Sequence, residues 1–232
     1  MQNITIIFRG GQCGNYLGYN IGKYITKRFE DLSSIVNPVN NEYFTCEIDI
    51  FKYQIVCSHL NLLDNKHIKD SFFPTTQIKD TVMQKRGFHG TKTLVNSNAK
   101  VIVIHNNSNI EYTEVLCGIK KQLIENKLDD IFIGYDFNSS IAKERKKKWE
   151  ELYIEPYVRM ASNFKAEGYD VFNLEYKDLF INEDDNRNKY IELCDFLNED
   201  YSNEGYNHLV EYTNKNIALM EKHCLFDRKQ LH

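Results

Sequence analysis

Asn3-Ile4-Thr5-Ile6-Ile7-Phe8 runs directly into Arg9-Gly10-Gly11-Gln12-Cys13-Gly14-Asn15, and this junction decides the fold class. The first six residues form a short run of β-branched and aromatic side chains that ends on glycines, as a buried parallel strand does. From Asn15 onward, Leu17, Ile21, Tyr24, Ile25 and Phe29 recur at helical spacing, so strand, tight turn and helix follow one another without a linker. Glycines in such a turn let the backbone approach an oxyanion, and the N–H groups opening the helix point at it with a favourable dipole. The junction therefore predicts a phosphate loop over Gly10–Tyr16, with Arg9 at its rim as a cation. A glycine turn that only packs strand against helix is the alternative.

Outward from the junction, the spacing predicts strands over Glu42–Ile50 and Lys52–Ser58, and the clearest buried strand over Lys100–His105. A helix follows over Ile110–Asn126. Ile131–Tyr135 reads as a short apolar strand and Ile141–Gly168 as a helix, with Gly168 at its cap and Pro156 as a kink or restart point. Asp170–Tyr176 reads as the last strand, and two helices follow, Arg187–Leu197 and Gly205–His223. Strands alternating with helices predict an α/β fold, a central parallel sheet with helices on both faces, in one domain spanning 1–232.

Composition narrows the function. Hydrophobic residues make up 42% of 232 and charged residues 27%, enough for a core and a wetted surface. A net charge of -4 gives no global basic field for nucleic acid or an anionic membrane. No apolar run reaches the length of a membrane span, and the first residues lack the basic and apolar regions of a signal peptide. The six cysteines (13, 46, 57, 117, 194, 224) show no CxxC spacing. A soluble, cytoplasmic protein with reduced thiols and no metal is the expectation. Lys143–Lys148 reads as a solvated basic face. Arg86, His89 and Lys92 sit in an irregular segment around Gly87 and Gly90, where loop cations meet solvent or a ligand.

The Walker spacing GxxxxGK[ST] is absent, and so is GxGxxG. Gly11-Gln12-Cys13-Gly14-Asn15 resembles the start of tubulin, but over that segment alone and without a second glycine-rich loop. Four further signals, in order along the chain, resemble the sulfotransferase family that uses 3′-phosphoadenosine 5′-phosphosulfate (PAPS). Gln12-Cys13-Gly14-Asn15 stands at the family's [KR]-[ST]-G-[ST] loop, with Gln12 at the basic position. Ile55-Val56-Cys57-Ser58-His59-Leu60 is similar to the strand ending in K-T-H-L, with Cys57 at the lysine. Val103-Ile104-His105-Asn106-Asn107-Ser108 through Thr113 is similar to V-R-[DN]-P-x-[DE]-x-x-x-S, with His105 at the arginine and Thr113 at the serine. Leu174-Glu175-Tyr176-Lys177-Asp178-Leu179 resembles L-x-Y-E-D-L and is followed by a helix, as in the family.

This resemblance implies a three-layer P-loop-type fold and PAPS as donor. It implies that Gly10, Gly11, Gln12, Cys13, Gly14, Asn15 and Tyr16 hold the 5′-phosphosulfate, while His105 and Thr113 hold the 3′-phosphate. His59 is then the general base, a task that suits an imidazole titrating near neutrality. The acceptor would be a small molecule or glycan carrying a hydroxyl. Its identity and the oligomeric state stay open. Phe226-Asp227-Arg228-Lys229 resembles an R-K-G loop without its glycine and reads as a solvated basic end. The alternatives are a nucleotide kinase-like P-loop enzyme and a non-catalytic protein that binds a nucleotide or a partner.

Overall fold

The computed structural model describes residues 3–9, 11–28, 36–37, 42–43, 55–59, 99–125, 132–181 and 186–228; for 36–37, 42–43, 56–59 and 152–160 it describes the backbone only. Strand β1 (Ile4–Phe8) leads through the glycine turn into α1 (Gly14–Asn20), which continues as a π-helical turn over Ile21–Ile25. Two short strands, β2 (Val36–Asn37) and β3 (Glu42–Tyr43), pair antiparallel. Then come β4 (Ile55–His59), β5 (Lys100–His105), α2 (Ile110–Glu125), α3 (Ser140–Ala166), β6 (Asp170–Glu175), α4 (Tyr176–Phe180), α5 (Asn186–Leu197) and α6 (Asn203–His223).

Among the described residues the main sheet has four strands in the order β4-β1-β5-β6, every neighbouring pair parallel. Both faces are covered, as the alternating side chains require. Ile4, Ile6, Phe8, Ile102, Ile104 and Leu174 point into one core with Leu17 of α1, Leu116 of α2 and Leu209 of α6. Ile7, Val101 and Val103 point the other way, onto Ala161 and Phe164 of α3. The α/β expectation therefore holds, with helices on both faces of a parallel sheet. No described helix is long and apolar enough to cross a membrane.

The turn from β1 into α1 is sharp because position 14 has no side chain. A Cβ at Gly14 would fall inside the ring of Phe8, so the glycine lets the helix start directly against the strand it leaves. The helix is shorter than its apolar spacing suggests. Thr26 N and Thr26 Oγ1 both donate to Ile21 O, at 2.8 and 3.0 Å. This i to i+5 closure widens the last turn and ends it before Phe29. α3 passes through Pro156 as one helix. It ends in a Schellman motif, with Tyr169 N donating to Phe164 O and Gly168 N to Lys165 O, each at 3.0 Å. The Phe164 and Tyr169 rings meet edge-to-face across that cap, centroids 5.4 Å apart.

One expected strand is absent. Residues 132–135 form a turn, with Gly134 at φ +75° and Tyr135 N donating to Phe132 O. Gly134 N donates to His223 O and Leu225 N to Tyr135 O, so the segment bonds the chain beyond α6 rather than the sheet. Strand expected over Glu42–Ile50 is described only at Glu42–Tyr43, and the segment holding Arg86, His89 and Lys92 lies outside the described residues.

Candidate functional site

Because the four strands are parallel, everything that follows them gathers at one edge of the sheet. The turn after β1, the end of β4 at His59, the turn after β5 and the β6–α4 junction at Tyr176 all lie there. In register, the Cα of His59 pairs with Phe8, and His105 with Glu175. This carboxyl edge is where open α/β sheets bind their ligands.

The loop after β1 is closed by its own side chain. Gln12 N donates to Arg9 O at 3.0 Å, and Arg9 N donates to Gln12 Oε1 at 2.7 Å. Gln12 is only 4% exposed, so its amide serves the loop from within, which a lysine or arginine could not do. Gly11 and Cys13 hold left-handed backbone, φ +83° and +57°. Cys13 O accepts from Leu17 N to open α1. The Cys13 thiol donates to Gly11 O at 3.7 Å, lies 3.6 Å from Tyr176 Oη and accepts from Asn216 Nδ2 at 3.8 Å. The loop is thus tied to the β6–α4 junction and to α6.

Gly11 brings the loop against α2. A Cβ there would collide with the backbone carbonyl of Thr113. So the structure brings the glycine loop and the His105–Thr113 turn into contact. The Thr113 hydroxyl is buried, accepts from Asn106 Nδ2 at 2.9 Å and donates to Ile110 O at 2.9 Å. Asn106 Oδ1 accepts from Asn109 N, which completes the turn.

Charge at this edge is mixed. The Arg9 guanidinium forms a buried ion pair with Glu114 of α2. Burial raises the Glu114 carboxyl above its ordinary range, and Arg9 draws it back. His105 is 5% exposed, and its Nδ1 has no hydrogen-bond partner among the described residues. Burial holds this imidazole below its ordinary value, against the pull of Glu175 and a hydrogen bond with Asn107. Ser108 Oγ lies 2.9 Å from both Glu175 Oε1 and Asn109 Oδ1.

The remaining expected residues divide. Gly10 lies outside the described residues, and of His59 only the backbone is placed. Asn15 is half-buried at the first turn of α1. Tyr16 faces the core: its ring stacks on Tyr212 with centroids 3.6 Å apart, and its hydroxyl meets His208 Nδ1 and accepts from Asn20, both at 3.1 Å. Among the described residues no group of three or more His, Cys, Asp or Glu side chains is placed to hold a metal.

Several participants had little or no signal in the sequence. Glu114 and Asn216 look like ordinary helix positions, and only their partners reveal a role. Phe226, expected in a solvated tail, instead packs against Tyr112 and Phe137, centroids 5.7 and 5.5 Å away. The bridge between Asp136 and Leu225 fixes it there, while Arg228 stays exposed and donates to Asn214. The basic run opening α3 is also only partly a solvated face. Lys147 and Lys148 are exposed, but Arg145 lies over the Tyr135 ring. Lys146 lines a cleft with Ser108, Asn109, Glu111, Tyr112, Phe137 and Phe226.

Compared with known proteins, the chain matches no family model, no curated protein and no solved structure.

Proposed function

We propose that the chain is a PAPS-dependent sulfotransferase with a three-layer P-loop-type fold, acting on a hydroxyl of a small-molecule or glycan acceptor. One observation carries the reading. The four segments that resemble the family are far apart in sequence, yet each ends a strand, and the four strands are adjacent and parallel. A parallel sheet brings the ends of all its strands to one edge, and a donor spanning that edge needs all four segments there.

In this reading the Gly10–Tyr16 loop takes the 5′-phosphosulfate, and the His105–Thr113 turn takes the 3′ end. The acceptor oxygen attacks sulfur in line and forms the new S–O bond. The bond from sulfur to the bridging phosphate oxygen breaks, and its electron pair leaves with 3′-phosphoadenosine 5′-phosphate. His59 takes the acceptor's proton. Backbone N–H groups at the start of α1 offset the charge on the transferring group.

Isothermal calorimetry with 3′-phosphoadenosine 5′-phosphate, the spent donor, tests the reading, and absence of binding overturns it. His59→Ala should abolish sulfuryl transfer while leaving that binding in place. The Arg9–Glu114 pair favours a second reading, a nucleotide- or partner-binding protein without turnover, because it neutralises a cation that a catalyst would direct at the sulfuryl group. Equal inertness of wild type and His59→Ala, with the spent donor bound by both, would select it.

A further inference from the structure

The cleft beside the β5–α2 turn holds a cation that the sequence left among solvated lysines. Two other candidates at this edge are poorly suited to a phosphate dianion. Arg9 is paired with Glu114. His105 is held toward its neutral form by burial, with Glu175 close by. Lys146 differs from both. It is half-buried, lines the cleft together with Ser108 and Asn109, and makes no ion pair within 4.0 Å among the described residues, although its charge acts on the Glu111 carboxyl of the same lining. The nearest acidic neighbour in the lining, Glu111, accepts from Tyr135 Oη at 3.0 Å, and burial raises its carboxyl above the ordinary range. Tyr112 and Phe226 supply apolar walls.

The cleft measures about 190 Å³. That is below the roughly 300–1,000 Å³ of sites enclosing a drug-sized molecule, so it accommodates one end of a nucleotide rather than all of it. The turn that lines it follows β5 directly and leads into α2, whose Thr113 backbone abuts Gly11.

We infer that Lys146 is the cation of the donor's 3′-phosphate, binding it in the cleft between the β5–α2 turn and Phe226. This rests on the sulfotransferase reading and replaces the role that the resemblance gives to position 105. The test compares 3′-phosphoadenosine 5′-phosphate with adenosine 5′-phosphate, by calorimetry, on wild type, Lys146→Ala and the exposed control Lys147→Ala, with circular dichroism to verify folding. Wild type and Lys147→Ala should prefer the bisphosphate, and Lys146→Ala should bind it about tenfold or more weaker while losing that preference. A bisphosphate preference that survives in Lys146→Ala overturns the inference and leaves the sulfotransferase reading standing. Equal binding of the two nucleotides by wild type also overturns it. Failure of wild type to bind the bisphosphate removes the reading and the inference together.

Discussion

Position 11 combines two constraints that act on the same atom. Its φ of +83° is unfavourable for any residue with a Cβ, and that Cβ would run into the Thr113 carbonyl, which belongs to backbone and cannot swing aside. Gly11→Ala is expected to lower stability by about 2–4 kcal/mol, read from urea denaturation, and to weaken nucleotide binding as the loop leaves α2. A loss below about 1 kcal/mol would mean that the loop yields easily. The sequence shows that glycine matters here but not why: the collision is with a helix about 100 residues on. Gln12 is the reverse case. Judged by residue type it is a missing cation, whereas in the fold it is the acceptor that closes the loop on Arg9 N. A side chain's polarity is visible in sequence, but its direction is not.

At the scale of elements, Asn20 holds three helices together. It is fully buried, donates to Tyr16 Oη and to Gly205 O, and accepts from Tyr190 Oη at 2.8 Å. It therefore joins α1 to α5 and to the start of α6. Asn20→Ala would leave the Tyr190 hydroxyl and the Gly205 carbonyl without this partner in a dry environment, at a cost of about 2–4 kcal/mol. Thermal and urea unfolding should both register it, and Tyr190→Phe in the Asn20→Ala background should recover part of the loss. The elements themselves were largely legible. β5, α2, α5 and α6 follow their apolar periods closely, because each buries a full stripe or a continuous run. The failures have local causes. Residues 131–135 contain an apolar run too short to distinguish a strand from a packed turn, and their partner is the end of α6. The helix after the glycine loop stops early because Thr26 bonds back to Ile21, a closure that hydrophobic spacing does not encode.

For the whole molecule, pH dependence follows from groups that burial shifts in opposite directions. His105 and His208 are both held below their ordinary value of 6.5, burial being the largest cause for each. The unfolded chain takes up their protons first, so their contribution is complete above about pH 6.5 and is lost as pH falls toward the lower folded values. Glu111, Glu114 and Asp178 are raised by burial. The folded state takes up their protons first, so as pH falls through the carboxylate range they oppose that loss. Tm should thus be level near neutrality, fall below about pH 6.5, and fall less steeply once the carboxyls protonate. A His105→Gln/His208→Gln double variant should show a smaller drop between pH 6.5 and 5.5, and an unchanged slope would refute the assignment. The parallel sheet was legible from alternating strands and helices. Its strand order was not, because nothing local to β1 says that β4 and β5 will flank it. Which of the four resembling segments are neighbours on that edge became visible only with that order.

The packing of Gly14 against Phe8 also constrains how this sequence can diverge. The two positions share one volume, so they behave as a single unit of substitution. A lineage can gain a side chain at 14 only after the ring at 8 has been lost, and the opposite order passes through a chain that cannot close its first strand onto its first helix. In any set of relatives, position 14 should therefore depart from glycine only where position 8 is small, even where the neighbouring loop has drifted beyond recognition.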